Sequence, residues 1–523
     1  MINKRKSRAL NIDYVSEGER CFPGFENPFE RQLDPNNRWV LLAKTIPWDS
    51  ICNIVIHRIK PSSLGRKGLN ARIIIGSLII KHLCDLSDED TVLHISENLY
   101  MQYFLGFSSF ISEKPFDSSL FVRFRKDLGL STINQINEKI ISLKMQMEGQ
   151  NLVLKEDIPQ KEVPKDEEDI TKNTEKPKQL NQDNDGISNR GKVIFDATCC
   201  PQDIAYPTDL GLLNAAREKA EELIDFLYEP SLHNKKPRTY RKNARKNYLR
   251  TAQKKNKTKK EIRRANGKQL QYLRRDIQHI NKLLDKYKQI PFDKYQYKYF
   301  LVIQTLYDQQ IEMHRSHKHT IDDRIVSIHQ PHVRPIVRGK QTAKVEFGAK
   351  INASIVDGIT FIDQLDWNAF NESVFLVEQV ENYKKRFGFY PAEVFADQIY
   401  CTRANRTELK RLNIKLKAKP LGRPSLSASS IRVSPGERNP IEGKFGQAKT
   451  RYGLGRIKAR LQNTSEAWIA GIFMVLNLVK LAGLVSYALI QRFLLILLYR
   501  LYDFLKCFRR RYMIFDCEKI VLT

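Results

Sequence analysis

The alternation of apolar and polar positions divides the chain into three kinds of pattern. From Asp209 onward, Leu213, Ala216, Ala220, Leu223 and Leu227 recur at steps of three and four, and Leu270, Leu273, Ile277, Ile280, Leu284 and Tyr287 repeat the pattern. That period keeps one face of an α-helix apolar, and two such seams close in sequence predict a helical hairpin packed like a short coiled coil. A third helix is predicted over Tyr295–Met313. Short apolar runs read instead as buried strands: KVIFDAT, 192–198, ending near Asp196, AEVFADQIY, 392–400, ending near Asp397, and 414–419. VEFGAKINASIV, 345–356, then Asp357-Gly358 and 359–365, predict a β-hairpin. Helices are predicted over 371–387 and 403–412.

The first 148 residues read as helical after a polar arm at 1–40. A dense apolar run covers Ala71–Leu86, Ser87 caps a helix running to about Leu105, and Gly106 closes it. Helix FVRFRKDLGL turns at Gly129 into a helix striped by Ile133, Ile136, Ile140 and Leu143. A tight glycine turn between two helices, with Arg123, Arg125 and Lys126 nearby, is compatible with a helix-turn-helix DNA reader, and equally with an ordinary helical domain. Residues 149–190 lose aromatics and fill with Pro, Glu, Asp, Lys, Asn and Gln, as a disordered linker does. The boundaries are therefore 1–148 for a helical domain, 149–190 for the linker, 191–483 for an α/β domain with a helical insertion at about 210–320, and 484–523 for an apolar and basic tail.

Charge changes the picture more than composition does. Among 523 residues, 88 Lys and Arg face 59 Asp and Glu, a net +29. Such an excess favours a polyanionic partner. Residues 235–268 concentrate it, and with Tyr240 and Tyr248 among the cations they read as phosphate contacts, the plainer reading being a solvated face. His314, His317 and His319 read as exposed polar residues rather than a metal tract. The eight cysteines form no C-x-x-C pair and fit a reducing compartment; the basic N-terminus is followed by no apolar signal core. The apolar stretch 468–508 is interrupted by Asn477, Lys480, Gln491 and Arg492, which disfavours a membrane span and favours a buried helix over about 465–482 with an amphipathic tail after it.

Candidate chemistry lies in Arg438–Arg460, RNPIEGKFGQAKTRYGLGRIKAR. Asn439 reads as an N-cap with Pro440 at the first helical position, which puts Glu442 in the first turn and Phe445 and Lys449 on its face. Gly443 and Gly446 leave room for a nucleic-acid backbone. Glu442 stands alone among Arg438, Lys444, Lys449, Arg451 and Arg456, as suits a metal held against a polyanion; a capping box closed by Glu442 is the structural alternative. If the strands ending near Asp196 and Asp397 are parallel neighbours, both aspartates face one side of the sheet, where Glu442 could join them.

FDAT at Asp196, ADQIYCTRANR at Asp397, the 438–460 stretch, YPTD and RIVSIHQPHVRPIVRGK together resemble the catalytic core of DDE transposases of bacterial insertion sequences. In the Tyr-(2)-Arg-(3)-Glu-(6)-Lys signature, Arg438, Glu442 and Lys449 match and Pro435 stands at the Tyr position. The resemblance spans about residues 70–482, linker excluded.

The resemblance implies an α/β ribonuclease-H-like catalytic domain with a helical insertion, preceded by an all-helical N-terminal domain. It implies that Asp196, Asp397 and Glu442 ligate two Mg²⁺ ions, with Mn²⁺ as a substitute and no small-molecule cofactor. Arg438, Lys444, Lys449, Arg451, Arg456 and Arg460 would contact DNA. The activity implied is hydrolysis at the terminal inverted repeats and transfer of the freed 3′-OH to target DNA, by a homodimer or larger assembly on double-stranded DNA in the bacterial cytoplasm. A metal-dependent nuclease of the same fold, and an inactive DNA-binding relative, remain the alternatives.

Overall fold

The computed structural model describes residues 12–13, 33–58, 69–156, 189–337, 345–419 and 435–483, without the side chains of 12–13 and 143–156. The expected linker falls outside these residues from 157 to 188, as do most of the N-terminal arm, the loop 420–434 and the tail 484–523. The chain forms two compact units. One comprises 1–180, 357–361 and 470–523; the other 181–356 and 362–469. Three separated stretches of sequence thus build the first unit.

The first unit is helical: α1 (Arg38–Thr45), α2 (Trp48–Arg58), α3 (Ala71–Cys84), α4 (Asp88–Glu97), α5 (Leu99–Phe104) and α6 (Leu120–Glu156). Side chains that cap nitrogens punctuate it. Ser87 accepts from Asp90 N to start α4, and Asn98 ends α4 and caps α5. The single helix expected to Leu105 is therefore two, because Asn98 offers its own side chain to the backbone. Gly129, at φ 65° and ψ 178°, breaks α6 as expected of a glycine turn. Trp39, Trp48 and Phe104 pack with ring centroids 5.2 Å apart. Arg125, expected near DNA, is instead 4% exposed and donates both guanidinium nitrogens to Asp88, which also pairs with Lys81 at 2.8 Å. A half-buried carboxylate between two buried cations neutralises both.

Helix α14 (Gln462–Gly483) is long and apolar enough to cross a membrane, yet its most apolar window is 72% buried in the protein. Its segment within the first unit accounts for Asn477, one of the polar residues that interrupt it. Asn477 donates to Asn137 Oδ1 and Thr360 O, each at 2.8 Å, and accepts from Thr360 N at 2.8 Å. Gly471 lets the helix close on His82: a Cβ there would stand 3.0 Å from the imidazole.

The second unit is a six-stranded mixed sheet with helices. Its strands are β1 (Lys192–Pro201), β2 (Arg334–Val337), β3 (Val345–Val356), β4 (Ile359–Asp366), β5 (Glu393–Phe395) and β6 (Lys415–Lys417). Their order is β2-β3-β1-β5-β6, with β4 beside β3. The β3–β4 turn places Asp357 at φ 51° and Gly358 at φ 82°, the two positive angles a tight Asp-Gly hairpin needs. β1 runs antiparallel to β3 and parallel to β5.

Between β1 and β2 lies the helical insertion: α7 (Asp209–Leu227), α8 (Arg241–Ala252), α9 (Lys259–Leu284) and α10 (Lys294–Ser316). Leu213, Ala216, Ala220, Leu223, Leu227, Leu270, Leu273 and Ile280 share one apolar cluster, the two seams meeting. Burying each leucine contributes roughly 1.5–3 kcal/mol. Asp209 at the start of the insertion accepts from Arg324 after its end (2.7 Å) and from Gln310 (3.0 Å), so YPTD and RIVSIH clasp its base. Helices α11 (Leu376–Phe387), α12 (Arg403–Arg411) and α13 (Asn439–Arg451) follow among the later strands. The helix expected from 371 begins as a 3₁₀ turn, Glu372–Phe375, capped by Asn371.

Candidate active site

Asp196 lies in mid-strand, paired with Ala353, because the antiparallel partner β3 carries β1 on to Pro201. The expectation that it ends the strand is corrected in that respect. The parallel pairing with β5 does end just before it: Lys192, Val193 and Ile194 face Glu393, Val394 and Phe395. Carried two residues further, that register sets Asp196 opposite Asp397. Asp397 caps the 3₁₀ turn Gln398–Tyr400, accepting from Gln398 N at 2.7 Å. Neighbouring strands run about 4.8 Å apart, so the two carboxylates meet where β5 ends.

Arg438 ties them together. Its Nη1 donates to Asp397 Oδ1 at 3.0 Å, and its Nη2 stands 4.0 Å from Asp196 Oδ1. Its buried Nε has no hydrogen-bond partner. Burial raises the Asp196 carboxyl to about 6; Ala197 N–H, 2.9 Å away, and Arg438 oppose that rise, and Glu372 and Asp397 reinforce it. Asp196 is thus a desolvated carboxyl whose surroundings leave its charge incompletely balanced.

Two groups beside it were not anticipated. Glu372 pairs with Lys350 at 2.8 Å, and Lys350 also donates to Phe370 O at 2.9 Å. An acid at the start of a helical turn reads as an ordinary partner for the helix dipole, so only the fold reveals that it faces Asp196. Tyr400 is fully buried, its hydroxyl 3.5 Å from Asn352 Oδ1, and that burial, followed by the charges of Glu372 and Asp196, pushes its ionisation up.

Glu442 does not join this group. The buried stripe of α13 is Ile441, Phe445 and Ala448, and Glu442, one residue away from it, is exposed. It makes no hydrogen bond or ion pair among the described residues. The helix begins at Asn439 with Pro440 second, and its cap residue, Arg438, makes no side-chain capping bond. Asn439 is therefore the first helical residue rather than the cap, and the expected capping box is absent. Among the described residues, no three His, Cys, Asp or Glu side chains are grouped to hold a metal ion.

The expected DNA contacts divide. Arg451 and Arg460 are exposed, Arg456 donates to Asp203 Oδ1 at 2.9 Å, and Lys444 and Lys449 are half-buried with partners of their own. Around Gly443 and Gly446 the face is open: a Cβ at either would meet nothing within 4 Å. The strand end and the loop after α13 are joined by Ile457 N donating to Pro201 O at 2.9 Å and Asp203 N donating to Ile457 O at 2.9 Å.

Comparison with known proteins adds three matches. Residues 394–479 match the family described as "Transposase DDE domain", a span containing Asp397, Arg438, Glu442 and Lys449 but not Asp196. Residues 27–127 match "Transposase domain (DUF772)". An uncharacterised protein, ORF8 in the nfe locus of Rhizobium meliloti, is 28% identical over 185 residues, 35% of this chain and 72% of that protein. No solved structure gives a significant match. Transposase-family matches in the N-terminal helices and again across Asp397 and α13 thus support an insertion-sequence DDE transposase.

Proposed function

We propose that the chain cuts and rejoins DNA at the ends of its own element, with Asp196 and Asp397 as the central carboxylates. The observation that supports this reading is the in-register aspartate pair sharing one cation, Arg438, at the end of a parallel strand pair. The domain that carries it would be ribonuclease-H-like, a mixed sheet with its carboxylates at neighbouring strand positions.

The donor set suits a hard divalent cation in its chemistry. Two carboxylates converge, and Asp196, pushed to about 6, lacks a neutralising partner of full strength. Asp196 and Asp397 would hold Mg²⁺ or Mn²⁺, with Glu442 as a third ligand brought in when DNA is bound. Such ions supply charge stabilisation to the attacking and leaving oxygens of a phosphodiester. The chain's own residues do the rest. Arg438 holds the two carboxylates in register. Arg451 and Arg460, both exposed, would neutralise the backbone, and the bare face at Gly443 and Gly446 lets a duplex approach α13 closely. Lys449, Lys444 and Arg456 would add phosphate contacts after exchanging their internal partners. Holding two element ends calls for a dimer or larger assembly on DNA.

The test uses the full chain, a plasmid carrying the element ends and Mg²⁺. Nicking at the ends followed by a strand-transfer product on a second plasmid is the expected outcome, absent in Asp196→Asn. Cutting without transfer would reassign the chain as a nuclease. No cutting by a protein that still binds the ends would leave a DNA-binding relative.

A further inference from the structure

Helix α8 (Arg241–Ala252) contributes almost nothing to the core. Ala244 is its only buried residue in 12. It has no acidic residue, and over 235–260 the sequence holds 13 Lys and Arg with no Asp or Glu. A charged surface that is merely soluble mixes both signs, whereas like charges four apart on a helix destabilise it by a few tenths of a kcal/mol per pair. Arg241 and Lys242 also stand in the first turn, where the helix dipole disfavours cations.

The two sides of α8 are used differently. On one, Arg241 donates twice to Asp225 (2.9 Å each) and Arg245 reaches Glu218 at 3.4 Å, both on α7. Gln269 of α9 donates to Ala244 O at 3.0 Å, and Asn247 donates to the Tyr272 hydroxyl at 3.0 Å. Tyr240, at φ 55°, is stacked between the guanidinium groups of Arg238 (4.6 Å) and Arg275 (4.8 Å). These contacts fix the helix on α7 and α9 through polar groups. On the other side Lys242, Lys246 and Arg250 recur at steps of four. All three are exposed, and none enters a hydrogen bond or ion pair among the described residues. They span about 12 Å along the helix axis.

We propose that the Lys242–Lys246–Arg250 face of α8 is a second duplex-DNA contact that grips the phosphate backbone without reading bases. It rests on the reading that the chain acts on DNA, and it assigns the insertion a role in holding the substrate. The chemistry selects the partner. An interfacial membrane helix needs an apolar face to insert, and α8 exposes none of its few apolar residues. A second copy of a chain at net +29 is itself strongly basic. A polyphosphate backbone matches three fixed, unneutralised cations in a row.

Anisotropy titrations of the full chain with a fluorescent duplex, in EDTA so that cutting plays no part, test this between 50 and 200 mM NaCl. Each phosphate contact contributes about 0.9 to the slope of log affinity against log salt. The triple variant Lys242→Gln/Lys246→Gln/Arg250→Gln should lower that slope by about 2–3. The equally exposed pair Lys385→Gln/Lys410→Gln should leave it unchanged. Circular dichroism establishes that the triple variant is folded; if it is not, Lys246→Gln alone decides, with an expected loss of about 0.9. An unchanged slope overturns the proposal, and so does loss of binding to phosphatidylserine vesicles with DNA binding intact. Because catalysis is silent here, failure of the cleavage reading would show separately, as plasmid cutting that persists in Asp196→Asn.

Discussion

Two aspartates in the second unit, half-buried Asp196 in the sheet and fully buried Asp276 in the insertion, share a residue type and a raised ionisation, and have opposite surroundings. Asp276, on α9, is fully buried, neither of its oxygens has a partner, and burial followed by the charge of Glu221 pushes it to about 8. The guanidinium that most opposes this rise, Arg217, is already engaged by Glu221 and Asn214. Asp196 is also lifted by burial, but its side chain keeps 18% exposure, lies in register with a second carboxylate, and shares a cation with it. A perturbed carboxyl by itself does not mark a functional site. Access and a converging partner separate the two: one can receive a ligand, and the other can only keep its proton.

The largest effect that would break this comparison lies in the insertion. Arg217→Met strands Glu221 and Asp276 without their guanidinium and should lower stability by about 3–5 kcal/mol. A urea midpoint equal to wild type would show that the buried cluster does not hold the insertion. Next, Asp196→Asn should slow end cleavage on the order of 10²–10³-fold, the rate equivalent of several kcal/mol, with little change in unfolding. If it unfolded the protein instead, Asp196 would be structural like its counterpart. Third is the pH dependence of Asp276. Its folded value, about 8, lies above the ordinary 3.8, so the folded state keeps a proton that the unfolded chain has lost. Stability is therefore highest below pH 4 in this respect and falls by a few kcal/mol as pH rises to 8. Denaturation across that range should show the fall, and Asp276→Asn should flatten it; parallel curves would refute the assignment. The smallest stability effect is expected from Arg438→Ala, under about 1 kcal/mol, since its stronger partner Asp397 is 55% exposed. Cleavage should nonetheless drop, and a variant that cuts normally would remove Arg438 from the site.

Local pattern made much of this legible. The hairpin at Asp357-Gly358, the seams of α7 and α9 and the strands near Asp196 and Asp397 follow from periodicity and turn chemistry, while the parallel pairing of those two strands is supplied by the fold. The extent of β1 did not, because the apolar run weakens at Asp196 while Cys199 and Cys200, beyond it, are buried under pairing with β3. Helix α8 was read as charge, not structure, since a helix held by polar contacts has no apolar stripe to count. Glu372 was passed over because its neighbour Asp196 is brought close only by the fold. The joining of Asn477 to Asn137 spans 340 residues, a distance at which no local composition carries information.

That last pairing bears on how such a gene decays. The helices near the amino end complete their unit with a hairpin tip and with Ala470–Gly483, translated hundreds of codons later. A chain interrupted by an early stop codon would therefore lack part of that unit. Asn137 would lack its partner, and the apolar surface that α14 covers would face water. Truncated chains of this design would be expected to be degraded rather than to persist as folded fragments.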